Sequence, residues 1–275
     1  MSARRFAAMW LLTGLAHGAE TGHAAQRILQ DVHAGKPLVA HVIVALADNE
    51  HQGIVRVPHA LGDGDRPQSN LYWGAMYGVK GFLRRSAVWK ALPLAASRDP
   101  RILERVLFRR ELLHDGRPAT VYLLAEAWQG RHIAGATRHF LEMTRGQHVE
   151  SLRIDGREIA AGGEAQLIGY AGHNGLMDFS APDLPAAAVS RAPRVAVVLA
   201  CYSNEYFSAL LRPHAAPLVT TASLMAPEAY VLDAIVTHWF AGSNPDEVVE
   251  AAARAYARYQ KISDRSARRI FHRNP

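Results

Sequence analysis

Apolar, β-branched runs recur along this chain with helix-like segments between them, and that alternation constrains the fold more than any other feature. The first run, Leu38 to Ala47 (LVAHVIVALA), is closed by Asp48-Asn49. Further runs are Ala119 to Ala127 (ATVYLLAEA), Ala165 to Ala171 (AQLIGYA), Arg194 to Ala200 (RVAVVLA) and the shorter Pro217 to Thr221. Near-continuous apolar stretches of this length suit strands buried on both faces. Between them, Leu71 to Arg85 reads as a helix capped by Ser69 or Asn70, Gln129 to Thr144 as a second, and Ser203 to Leu211 as a third with Ser203 as its N-cap. A fourth opens at Pro227 and closes near Gly242. The last starts at Asn244-Pro245-Asp246-Glu247 and runs to about Lys261; a cap, a proline at the first helical position and an acid three residues on coincide there. Residues 101–113 fit either a helix begun at Asp99-Pro100 or the first arm of a hairpin turning at Asp115-Gly116, and a small hairpin is expected at Asp155-Gly156. Strands alternating with helices predict one α/β domain over residues 20–262, with a mainly parallel sheet, helices on both faces and a small hairpin.

The 275 residues are 49% hydrophobic, enough for a large core, and 20% charged, which is ordinary for a folded domain. After the N-terminus no apolar run is long enough to cross a membrane, so no integral membrane segment is expected. The net charge of +6 comes almost wholly from arginine, with lysine only at Lys36, Lys80, Lys90 and Lys261. No basic stripe carries interleaved aromatics, so no nucleic-acid partner is expected. Residues 263–275, with Arg265, Arg268, Arg269 and Arg273, read as a solvated basic tail. At the other end, Arg4-Arg5, an apolar run from Phe6 to Leu15 and the small residues Ala16, Gly18 and Ala19 read as a secretory signal over residues 1–19. That reading predicts a periplasmic or secreted protein. An ordinary N-terminal helix, and a cytoplasmic protein, is the alternative.

In parallel sheets, chemistry collects beyond the C-terminal strand ends, near the switch in strand order. The residues there are Asp48, Asn49, Glu50 and His51 after the first run, Gly172, His173, Asn174 and Gly175 after the third, Cys201, Tyr202 and Ser203 after the fourth, and Ser223, Leu224 and Met225 after the fifth. A thiol is a nucleophile once deprotonated, and a neighbouring imidazole can take its proton. A helix beginning at Ser203 would direct free amides and its positive end at Cys201. The amides of Gly175 and Cys201 are candidate oxyanion donors, and Asp48 or Asn49 is the candidate to orient His173. Each residue alone has an ordinary explanation, because a cysteine ending a buried strand is usually a small core residue and the chain holds 14 histidines. The pair is the stronger signal, since both fall at strand ends one crossover apart.

The segments LIGYAGHNG (Leu167 to Gly175) and VAVVLACYSNEYF (Val195 to Phe207) resemble the caspase-like cysteine peptidases, and ACYSNEYF is similar to the Ala-Cys-x-Ser segment of legumain-type enzymes. The resemblance rests on these two motifs and the strand order. It implies strand order 2-1-3-4-5, as in caspase- and flavodoxin-like sheets, with His173 as proton carrier, Cys201 as nucleophile and Asn49 or Asp48 as third member. The substrate would be a peptide or protein, cleaved without metal or cofactor. Two departures stand out: Asn174 separates the histidine from the glycine that directly follows it in the family, and Leu199 occupies a position that is polar in legumain-type enzymes. Glu205, Ser223, Met225 and Glu228 are the candidate substrate-binding residues.

Competing classes are a non-catalytic α/β domain used for binding, with Cys201 buried and inert, and another α/β enzyme holding a small ligand at the same strand ends. Gly169-x-x-Gly172-x-x-Gly175 lacks dinucleotide-loop spacing, Asp63 and Asp65 read as a solvated turn, and His51 and His59 have no metal-ligand spacing. Tyr72, Trp73 and Tyr77 read as packing residues. The long polar loop after the first strand is a candidate cover for the site.

Overall fold

The computed structural model describes residues 20–184, 190–212 and 214–272. The expected signal segment, residues 1–19, and Arg273 of the expected tail lie outside them. Helix α1 covers residues 20–33. The strands are β1 (Leu38–Ala45), β2 (Lys90–Leu92), β3 (Ile102–His114), β4 (Arg117–Trp128), β5 (Glu150–Ile154), β6 (Arg157–Ala161), β7 (Leu167–Ala171), β8 (Val195–Leu199), β9 (Ala216–Thr221) and β10 (Phe271–His272). The remaining helices are α2 (Val79–Arg84), α3 (Ile133–Thr144), α4 (Ser203–Leu211), α5 (Ala229–Phe240), α6 (Pro245–Gln260) and α7 (Asp264–Arg268).

Eight strands form one sheet in the order β10-β9-β8-β7-β1-β4-β3-β2, and β5-β6 is a separate hairpin. The core is parallel, running β4-β1-β7-β8-β9. The whole-sheet order therefore departs from the expected five-strand 2-1-3-4-5, because antiparallel strands extend it at both edges. Residues 101–113 resolve as the hairpin arm. Asp115 and Gly116 both adopt positive φ (+47° and +81°), the primed turn that matches the twist of its strands, and Asp155-Gly156 does the same for β5-β6.

Both sheet faces are covered. Along β1, Leu38, Ala40, Val42 and Val44 enter a core with α1, α5 and α6. Val39, Ile43 and Ala45 enter the opposite core with α3 and α4. His41 interrupts this alternation; its Nδ1 accepts the Gly162 amide at 2.9 Å, and its Nε2 lies 3.5 Å from Glu126 Oε1. Nearby Glu126 is buried, which opposes its ionisation. His41, His139 and Arg105 outweigh that cost and hold its pKa at about 2. The last long helix forms as its sequence dictates, with the reciprocal Asn244–Glu247 capping box and Pro245 in the first turn.

Two segments depart from expectation. Only Val79–Arg84 of the Leu71–Arg85 segment is α-helical. Gly74 and Gly78, ahead of α2, pack so tightly on neighbouring backbone that a Cβ there would lie within 2.0–2.5 Å of it, so that part of the chain coils in close turns instead. Asn70 is not a helix cap. It is fully buried, its Oδ1 accepting from the Ala47 and Tyr72 amides and its Nδ2 donating to the Ala47 and Asp63 carbonyls. The second departure is the expected tail. Residues 264–268 form α7, Arg268 pairs with Glu250, and β10 pairs with β9.

Asn70→Ala removes both side-chain partners of Ala47 at the end of β1. We expect a loss of about 2 kcal/mol or more in denaturant unfolding, from buried groups left unpaired.

Candidate functional site

The loops after β1, β7, β8 and β9 converge on one cavity of about 470 Å³. It lies beyond the C-terminal strand ends, flanking the position where the connections diverge to either side of β1. Both His173 and Cys201 line it.

Cys201 owes its place to a sharp turn. Tyr202, immediately after it, adopts the left-handed conformation (φ +51°, ψ +30°), which costs a non-glycine residue about 1 kcal/mol or more. That bend ends β8 and starts α4 within two residues of the sulfur. Ser203 is the first residue of α4 rather than its cap. Its buried hydroxyl donates to the Val198 carbonyl at 2.8 Å and accepts the Thr221 amide at 2.9 Å, pinning the helix start to β9. The half-buried sulfur sits against Met225, whose amide and carbonyl lie 3.5 and 3.6 Å from it. The Cys201 amide enters no hydrogen bond among the described residues.

His173 is buried, and its Nε2 pairs with Asp178 Oδ2 at 2.7 Å. The same carboxylate oxygen accepts the Gly53 amide at 3.0 Å, and a Cβ at Gly53 would fall 2.5 Å from Asp178 Oδ1. Glycine there is what lets the loop after β1 reach the carboxylate. Tyr170 donates its hydroxyl to the His173 carbonyl at 2.8 Å. Asn174 is fully buried and donates from Nδ2 to the Cys201 carbonyl at 2.7 Å, while its Oδ1 accepts the Leu176 amide. Asn174 is thus a brace between the histidine loop and the cysteine loop.

Several expected site residues lie elsewhere. Asp48 caps its own turn, accepting from the Glu50 and His51 amides and pairing with the His51 ring, and Asn49 exchanges two hydrogen bonds with the backbone of Val57. Asp178 takes the position at His173 that these two were expected to fill. Gly175 does not line the cavity. It is buried beneath the Phe179 ring, 2.5 Å from where its Cβ would be, and Gly172 lines the cavity instead. Met225 and Glu228 line the cavity as expected, whereas Glu205 and Ser223 do not; Glu205 is exposed on α4, and the Ser223 hydroxyl turns to the Leu224 carbonyl.

Sequence reasoning missed Asp178, Tyr72 and Tyr256. The signal for the first was an acid five positions after the histidine. A 3-10 turn over Gly175–Met177 folds the chain back and brings the two together. Tyr72, read as packing, lines the cavity; burial first, then the charges of Cys201 and Glu228, push its phenol upward, so it stays a proton donor. The Tyr256 hydroxyl accepts the Ala226 amide at 3.0 Å. Much of the remaining lining is apolar: Ile54, Val55, Val57, Leu71 and Leu224. The loop after β1 thus borders the site.

No protein-family profile, curated protein or solved structure matches this chain.

Glu228 lies above the usual carboxylate range, chiefly through burial, although Tyr230 and Gln260 both donate to it. The folded state therefore holds this proton more tightly than the unfolded chain, and stability falls as pH rises from the ordinary carboxylate value through the raised one. Glutamine does not titrate. Melting curves should show Glu228→Gln gaining on the wild type at pH 8, with the gap closing near pH 3.5.

Proposed function

We propose that this protein is a thiol hydrolase, a peptidase of the caspase-like type acting through a Cys201–His173 pair. The observation that carries this reading is that the sulfur and the imidazole line one open cavity from neighbouring strand ends, with the ring held by Asp178.

With Nε2 engaged by Asp178, the other ring nitrogen, Nδ1, is the one left to exchange protons. The Cys201 thiol gives its proton to His173 and its sulfur attacks the substrate carbonyl carbon. The carbonyl oxygen takes up negative charge, which the Cys201 amide and the positive end of α4 would stabilise. The C–N bond then breaks, and the amine leaves with the proton from His173. A thioester remains. Water attacks it while His173 takes the water proton, the C–S bond breaks, and the acid and thiol are restored. Asp178 keeps the ring oriented and balances its positive charge, the role of the third group in such triads. The apolar walls suit an extended peptide with an apolar side chain beside the scissile bond, and the Tyr72 hydroxyl, unpaired among the described residues, offers one polar contact.

One observation favours binding without catalysis. The Met225 carbonyl lies 3.6 Å from the sulfur, where it can accept from the protonated, resting thiol.

Cleavage of a peptide library separates the two readings. Turnover should fall by about 10³-fold or more in Cys201→Ala and His173→Ala, and by about 10²–10⁴-fold in Asp178→Asn. Iodoacetamide should alkylate wild-type Cys201 faster than the thiol of His173→Ala. No cleavage by the wild type, together with a thiol that resists alkylation in the folded state, would reject the peptidase and leave the binding domain.

A further inference from the structure

Away from the cavity, three metal-ligating side chains meet at the C-terminal end of α3. His139 and Glu142 stand three residues apart on α3 and so share one face. His148 follows in the connection to β5, with a left-handed backbone (φ +52°), which among non-glycine residues Asn, Asp and His adopt most readily. Its ring lies back against the helix, 4.1 Å between centroids from the His139 ring, with its Nε2 2.6 Å from Glu142 Oε2. One ligand atom from each residue lies within 4.8 Å of the other two.

We propose that His139, Glu142 and His148 bind a divalent transition-metal ion, with zinc the best match to the ligand set. Two imidazoles and one carboxylate are a donor set that zinc takes with a water in the fourth position. Bonds of about 2.0–2.1 Å to a tetrahedral ion put ligand atoms roughly 3.4 Å apart, so the three groups need only small side-chain rotations to close on it. The surroundings fit as well. Glu126 Oε2 lies 4.0 Å from His139 Nε2, a second carboxylate beside a ligating ring, and Trp128 packs on the same imidazole at 5.1 Å. The outer side is open: His148 is exposed, Arg138 approaches Glu142 there at 3.5 Å, and Arg101 adds a second positive charge near the same carboxylate. The ion would tie α3 to the connection that leads into the β5-β6 hairpin. None of the three residues lines the cavity with Cys201, so this site is independent of the proposed hydrolase.

The test is a zinc titration of tag-free, full-chain protein stripped by a chelator, read against a chromophoric zinc indicator and by thermal melting. One equivalent should bind and raise the melting temperature. His148→Asn, which keeps a residue tolerant of the left-handed backbone at an exposed position, should weaken binding by about 100-fold or more and abolish the thermal gain. Cys201→Ser should leave binding unchanged. Equal zinc affinity in wild type and His148→Asn, absence of a bound equivalent, or loss of binding in Cys201→Ser would each overturn the proposal.

Discussion

The relation between His173 and Cys201 depends on one buried carboxamide. Asn174 follows the histidine directly and reaches across to the Cys201 carbonyl, while its oxygen holds the Leu176 amide and so shapes the turn that carries Asp178 back. Tyr170, from within β7, holds the His173 carbonyl. These groups have little water to fall back on, so each alternative loop conformation must give up buried hydrogen bonds. The two strand-end loops are therefore fixed to one another through main chain, and the ring and the sulfur inherit that spacing. Between His173 and Gly175, Asn174 does structural work that glycine could not.

A second layer of support comes from the long connection after β1. Asn70 clips it to the strand at Ala47, and Gln52 donates to both the Leu46 and Gly130 carbonyls. From these anchors the chain turns out to Gly53, whose amide meets Asp178. Histidine orientation is thus shared between the β7 loop and the β1 loop, and the carboxylate is their common point. Asp48, buried and drawn into its own turn with His51, helps build that connection rather than touching His173.

Much of this was legible in the sequence where the signal was local or periodic. The five parallel strands fell where the apolar runs are, because strands covered on both faces tolerate few polar residues. Turn glycines after Asp115 and Asp155, and the Asn244–Glu247 box, marked their elements by local chemistry. His173 and Cys201 were legible because strand ends are few and their order is constrained. What failed was set by distant contacts. The first half of the helix expected over Leu71 to Arg85 gave way to close turns that its glycines permit. Asp178 meets its histidine through a tight turn that propensity does not announce. The basic C-terminal segment read as solvated because it is arginine-rich and terminal, yet Phe271 is buried, and β10 finds its partner in β9, some fifty positions earlier.

That last pairing makes the two rims of the cavity mechanically unequal. Thr220 and Thr221 bond to β10, Ala222 donates to the Ile270 carbonyl, and Ala226 is held by Tyr256, so the stretch bearing Met225 is moored before and after the sulfur. Opposite it, Val55 protrudes with 90% of its surface in solvent, on a segment secured mainly at its two ends. Local opening draws on the least anchored backbone. A ligand reaching this cavity would therefore meet a stiff floor beside the thiol and a yielding wall across from it, on the Gly53–Val57 side.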